Sequence, residues 1–301
     1  MNKPIPYGPA NEHLIGTALK EIVRRVMNEI WRRRIGFVGQ EKINEHKPDK
    51  QDRVTDADFA AQEIFVRKLT ECFPGYGIVA EEHGFSRQCT LEGVNLFFTV
   101  DPLDGTKAFE RRQSQGFGPM LSLCTDEKVI AAFVGDSMTQ ELYYYRPGSD
   151  RVHRLNFGDH QHELLSTGGS GKLADQYVLL RDNPLNLPRI YSNIAQSLKH
   201  GGMFKEIEIA GGGIGTGMAR LWKGEVGGYV IKGGIQQPWD LWPVWGISEK
   251  LGFVWMRHDG LEWRSREMGP SMTPSMFAEP SIIIHGSQKN NFLWAAKGYS
   301  F

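Results

Sequence analysis

Cysteine is scarce in this chain: three residues among 301, Cys72, Cys89 and Cys124. An odd number without the close paired spacing of zinc or redox motifs predicts a fold that needs no covalent staples and a reduced, cytosolic setting. Net charge is missing too. Lys plus Arg and Asp plus Glu stand at 35 each, so no global field exists to hold a nucleic acid backbone or an anionic membrane, and any anion must be recognised locally. Long apolar runs are absent: nothing approaches the roughly 18 uninterrupted residues of a membrane span. The opening MNKPIPYGPANEHLIG has no apolar region behind a basic start. Internal repeats and low-complexity tracts are also lacking. What remains is a chain with 40% hydrophobic residues, able to bury a sizeable core as one large domain or two of about 150 residues.

Periodicity predicts the elements. An amphipathic helix runs from about Glu12 to Arg34, with Leu14, Ile22, Val26, Ile30 and Trp31 on its apolar side and Arg32-Arg33-Arg34 at its C-terminal end, where cations complement the helix dipole. A second helix opens at Val54-Thr55-Asp56 and stops at Pro74-Gly75. Strands are expected over 76–80, 96–100, 120–124, 129–135 and 141–145. A polar stretch near 146–172 reads as the boundary between an N-terminal α+β half, 1–148, and a C-terminal α/β half, 149–301. In the second half, strands are expected over 177–180, 206–210, 228–231, 253–256 and 281–284, and helices near 188–199, 217–223 and 240–251. The tail from Gly269-Pro270 onward reads only as loop followed by strand.

Two of the early strands run straight into acid. Glu81-Glu82 follows one, and Asp101-Pro102-Leu103-Asp104-Gly105-Thr106-Lys107 follows the other. A proline turn with carboxylates three residues apart can aim both at one point, and a hard divalent cation such as Mg2+ takes oxygen ligands from one or two carboxylates, waters and substrate phosphate. A helix beginning at Gly105 and Thr106 would turn its free N–H groups to the same point, as an anion site. Each fragment also has a plainer reading: an Asx/Gly turn capping a helix, a solvated acidic corner at Glu81-Glu82, and a helix N-cap at Asp240 in Pro238-Trp239-Asp240.

Taken together, Asp52-Arg53-Val54-Thr55-Asp56-Ala57-Asp58, Ala80-Glu81-Glu82, Asp101-Pro102-Leu103-Asp104-Gly105-Thr106, and Trp239-Asp240 with Gly252 closing its helix resemble the inositol monophosphatase family in order and spacing. The resemblance is strong over about 50–110 and looser over 205–255. It implies an α/β (α+β) fold, a layered αβαβα sandwich, and hydrolysis of a phosphate monoester on a small soluble metabolite with two or three Mg2+ ions. By position it assigns Glu81, Asp101 and the Leu103 carbonyl to one ion and Asp101, Asp104 and Asp240 to a second. Thr106, paired with Asp58, would help Glu81 activate the attacking water, and Gly105 and Thr106 N–H groups would hold the phosphate. Such ions lower the pKa of a water and stabilise the leaving alkoxide. Relatives are commonly homodimers, although no interface is legible here.

The family pattern is broken where substrate is chosen. The Arg-Ser pair and the Glu that bind inositol hydroxyls in animal inositol monophosphatases are replaced by Gly211-Gly212-Gly213-Ile214-Gly215-Thr216 and Lys232-Gly233-Gly234. That disfavours inositol phosphate. Lys107 is similar to the lysine of bisphosphate nucleotidases and histidinol-phosphate phosphatases, which are the alternative activities. Gly213 and Thr216, with Asp104, Gly105, Thr106 and Lys107, are the expected substrate contacts. A dinucleotide-binding turn at 211–217 fails the G-x-G-x-x-G spacing. His160-Gln161-His162 reads as an exposed pair, and the eight tryptophans mostly as core. A relative that binds ligand without turnover is the alternative outside enzymes.

Overall fold

The computed structural model describes residues 7–43, 51–166, 171–181 and 183–299. Its first part comprises α1 (Glu12–Arg33), β1 (Gly39–Ile43), β2 (Gln51–Thr55), α2 (Asp56–Cys72), β3 (Gly77–Ala80), β4 (Ser86–Arg87), β5 (Phe97–Asp104), α3 (Thr106–Glu110), β6 (Gly118–Cys124), β7 (Val129–Asp136), β8 (Glu141–Tyr145), β9 (His153–Asn156) and β10 (His162–Leu164). Asn11 caps α1 by accepting from Leu14 N–H at 2.9 Å. The helix buries Ile15, Leu19, Ile22, Val26 and Ile30. Two residues expected on that face, Leu14 and Trp31, are exposed instead, and Trp31 stacks under the Arg34 guanidinium at 3.7 Å.

Eight strands form one sheet in the order β10-β9-β8-β7-β6-β5-β3-β4, antiparallel except for the parallel pair β3 and β5. Both faces are covered, which is why its central strands read as unbroken apolar runs. Leu121, Leu123, Ile130 and Phe133 meet α1 and α2 on one side, while Met120, Cys124, Ala132 and Val134 face the other. The polar stretch after Arg146 still adds β9 and β10 to this sheet. The first sheet therefore reaches past the 148/149 division expected from composition, and the second begins at Tyr177.

The second part contains β11 (Tyr177–Leu180), α4 (Arg189–Ile194), β12 (Glu206–Ile209), α5 (Ile214–Trp222), β13 (Gly228–Ile231), β14 (Gly234–Gln236), α6 (Pro238–Lys250), β15 (Phe253–His258), β16 (Trp263–Ser265), β17 (Ser275–Phe277), β18 (Ser281–His285) and α7 (Lys289–Ala296). The helix expected over 188–199 breaks after Ile194 and resumes as a single 3-10 turn at Leu198–His200. The sheet order is β12-β11-β13-β18-β15-β16, with β12, β11 and β13 parallel.

Three cores separate five layers. The first lies between α1/α2 and the large sheet. The second joins the other face of that sheet to α5, α6 and the inner face of the small sheet, through Trp222, Trp242, Tyr229 and Ile283 among others. The third lies under α4 and α7. This is the αβαβα sandwich, and its shared central core makes the two halves one packed body. The tail also has a place. β17 pairs antiparallel with β14, Ile235 opposite Met276, and Trp242 Nε1 donates to Ser271 O at 2.8 Å. The segment that follows β13 is thereby braced.

Candidate active site

In a regular strand, residues three apart point to opposite faces. Asp101 and Asp104 escape this because β5 slips against β6: Asp101 lies opposite Met120 and Asp104 opposite Gly118. The extra residue is a β-bulge, which re-aims the strand locally. The expected proline turn is thus a bulge inside a continuous strand, and it places both carboxylates on one side. Asp101 Oδ1 accepts from Leu103 N–H at 2.9 Å. Gly105, at φ +90°, starts α3 in the left-handed region, and a Cβ there would overlap the Gly116 carbonyl, so the turn requires glycine.

Asp104 faces the other half of the molecule. Its Oδ1 accepts from Ile214 N–H at 3.0 Å and its Oδ2 from Gly215 N–H at 2.6 Å, so it caps the first turn of α5. Gly213 makes room, since a Cβ there would overlap the Asp104 carboxylate. Asp240 is not the N-cap of α6. That position belongs to Gln237, Pro238 follows it, and Asp240 sits in the first turn. Gly252, at φ +79°, follows the end of α6 as expected. Oxygens of Asp101, Asp104 and Asp240 all lie within 4.8 Å of one another.

Asp58 belongs to the capping box of α2, with Oδ2 accepting from Thr55 N–H at 2.8 Å and Thr55 Oγ1 at 2.6 Å. Its other oxygen, Oδ1, accepts from Thr106 Oγ1 at 3.0 Å, and that hydroxyl also lies 3.2 Å from the Leu103 carbonyl. Capping and a link to the acidic strand thus use different atoms of one side chain. Glu81 stands at the end of β3, its N–H bonded to Val100 O at 3.1 Å. Glu82 is no solvated corner: it is buried, and its backbone is clamped by Gln62 through two 2.7 Å bonds.

Glu81 and the Asp101, Asp104 and Asp240 cluster line a cavity of about 490 Å3. Glu81, Leu103, Gly105, Thr106 and Lys107 are on its wall with the three aspartates. Gly213, Thr216 and Asp58 are not among the lining residues; the Thr216 hydroxyl turns back to Gly213 O at 3.4 Å. Arg181, which sequence reasoning missed, also lines the cavity. The signal was present: Arg181 follows Tyr177–Leu180 directly, as Asp101 follows its own apolar run.

Burial disfavours ionised carboxylates and neighbouring like charges add to it. Burial, then Glu81, Asp104 and Asp240, holds Asp101 well above the usual carboxylate range. Asp104 is raised by burial, against the pull of Arg181 and of the Gly215 and Ile214 N–H groups. Asp58 is pushed up to about 7, mainly by burial. A buried acidic cluster is costly without a cation. The donors are all hard oxygens, with no His or Cys among them, which fits Mg2+ rather than a softer metal.

The inositol monophosphatase family model matches residues 12–274. The inositol-1-monophosphatase of Bacillus subtilis (strain 168) is 27% identical over 128 residues, 42% of this chain and 47% of that protein. The chloroplastic bifunctional phosphatase IMPL2 of Arabidopsis thaliana is 26% identical over 188 residues, 62% and 49% of the two chains. The chain thus spans about half the length of these curated relatives. Among solved structures, an IMPase/NADP phosphatase complexed with NADP and Ca2+ superposes with a TM-score of 0.70 at 19% identity, over 96% of this chain and 97% of the other, so the fold is shared. Because the family match runs through both halves, from before Asp58 to beyond Asp240, this chain belongs to the inositol monophosphatase family.

Proposed function

We propose that the chain is a Mg2+-dependent phosphatase that hydrolyses a phosphate monoester on a small metabolite. The observation that carries this reading is the convergence of Asp101, Asp104 and Asp240 in a cavity that also presents Gly105, Thr106 and Lys107. Glu81, Asp101, Asp104, Asp240 and the Leu103 carbonyl would hold the metal. Bound there, Mg2+ supplies an acidified water and positive charge for the phosphoryl oxygens. Backbone N–H groups at the start of α3 and the Lys107 ammonium bind and orient the phosphate. Thr106 orients the attacking water with Glu81; as Thr106 Oγ1 takes a proton from that water, its own passes to Asp58 Oδ1. A carboxylate that titrates near 7 suits this acceptor role at neutral pH.

Inositol phosphate fits the cavity poorly. Among the described lining residues, every carboxylate belongs to the metal cluster or to Glu81 beside it, so none of these is left over to pair with a polyol. A bisphosphorylated nucleotide or histidinol phosphate is the second reading, supported by Lys107. Phosphate release with and without Mg2+ across inositol 1-phosphate, adenosine 3',5'-bisphosphate, histidinol phosphate and fructose 1,6-bisphosphate tests both. One Mg2+-dependent substrate is the expected result. Silence from folded protein that binds Mg2+ would favour a relative that binds without turnover.

A further inference from the structure

Part of the cavity lining lies at the carboxyl ends of three parallel strands. Leu180 of β11 is in register with Ile209 of β12 and Val230 of β13. Just beyond these ends, Arg181, Gly211-Gly212 and Lys232-Gly233 all line the cavity. Parallel strands of an α/β sheet bind ligands at this edge, where the loops diverge.

Arg181 is solvent-exposed within the cavity. Asp104, Asp240 and Asp101 are near enough for their charge to favour its protonated form. A guanidinium serving as structural counter-ion to the aspartates would touch one of them. Among the described residues no carboxylate lies within ion-pair distance of Arg181. Its planar fork of donors, matched to an oxyanion bidentately, is therefore left facing the cavity. Lys232 lines the same edge and adds positive charge. The cavity, at about 490 Å3, also holds far more than one phosphate, being of the size that takes a whole small molecule.

We propose that Arg181 forms a second anion subsite, so that the substrate carries, beyond the scissile phosphate, a further oxyanion group on its leaving-group side. This rests on the phosphatase reading of the acidic cluster. It commits the site to bisphosphates or phosphorylated carboxylates, and it disfavours substrates whose leaving group ends in an amine.

The test compares kcat/KM within matched pairs: adenosine 3',5'-bisphosphate against adenosine 3'-monophosphate, fructose 1,6-bisphosphate against fructose 1-phosphate, and 2-phosphoglycerate against glycerol 2-phosphate. In the unaltered protein at least one second anion raises kcat/KM about tenfold or more, mostly through KM. In Arg181→Gln that advantage falls to within about twofold, and Arg181→Lys restores part of it. Equal values within every pair, or an advantage that survives Arg181→Gln, would overturn the subsite while leaving phosphatase activity in place. Mg2+-dependent release from none of the six would count against the phosphatase reading instead. Calorimetric binding of the same pairs in Ca2+ then decides the subsite: an anion preference lost in Arg181→Gln upholds it, and no preference sinks it.

Discussion

Asp104 Oδ2 accepts the Gly215 backbone N–H at 2.6 Å across 111 residues of sequence. One carboxylate thereby belongs both to the acidic cluster and to the first turn of α5, and it is fixed from the C-terminal half. Gly213 provides the space, and Gly213→Ala must push that carboxylate aside. We expect this substitution to cost about 1–3 kcal/mol of stability. Phosphate release should fall at least about tenfold, with weaker Mg2+ dependence. Unchanged turnover with an unchanged Mg2+ titration would show that Asp104 is not held in this way.

Asp101→Asn and Asp240→Asn should each remove turnover on the order of a hundredfold or more while leaving the fold intact. Circular dichroism and a phosphate-release assay at saturating Mg2+ check both points. Full activity in either variant with metal present would sink the assignment of the cluster.

The hydroxyl of Thr106 sits between Asp58 and the Leu103 carbonyl. Thr106→Ser should retain most activity because it keeps the hydroxyl. Thr106→Ala should lose about 10²-fold or more in kcat, the scale of a general-base contribution. Equal kcat in the two variants would remove Thr106 from the chemistry.

Without metal, pH should act through the raised carboxyls. Asp58 is held up to about 7 and Asp101 is raised by burial and by Glu81. Each binds more protons folded than unfolded, so its stabilisation is fully present at low pH and is lost as pH rises through the folded value. Ion-paired Glu21, Glu208 and Glu225 are lowered, so their contribution changes only below the ordinary carboxyl range. His153 is lowered by burial and opposes the trend below about 6.5, equally in any variant of the cluster. Melts in EDTA from about pH 5 to 7 should therefore fall more steeply for the unaltered protein than for Asp101→Asn, and added Mg2+ should flatten the difference. Parallel profiles would contradict the raised Asp101.

Much of the candidate site was legible because its parts are local. Asp101 and Asp104 lie within one strand, Thr55 to Asp58 within one helical turn, and Glu81 at one strand end. Short-range alternation and capping chemistry show such features directly. The bulge in β5 was not legible as such, since Pro102 suits a turn equally well and only pairing with β6 shows the slip. The break in α4 was hidden for a related reason: Ser197 bridges to Phe204, a contact with the chain ahead that helical periodicity does not carry.

By itself the sequence determined the alternation of elements, the acidic residues at strand ends and the family, because each is written within a few consecutive residues. Tertiary structure alone decided what those residues face. Gly213, for one, makes room for the Asp104 carboxylate, and the Thr216 hydroxyl bonds within the turn. Arg181 enters the cavity because β11 lies between β12 and β13. Such placements depend on strand order and on contacts across the shared core, which couple residues far apart in the chain and leave no period in it.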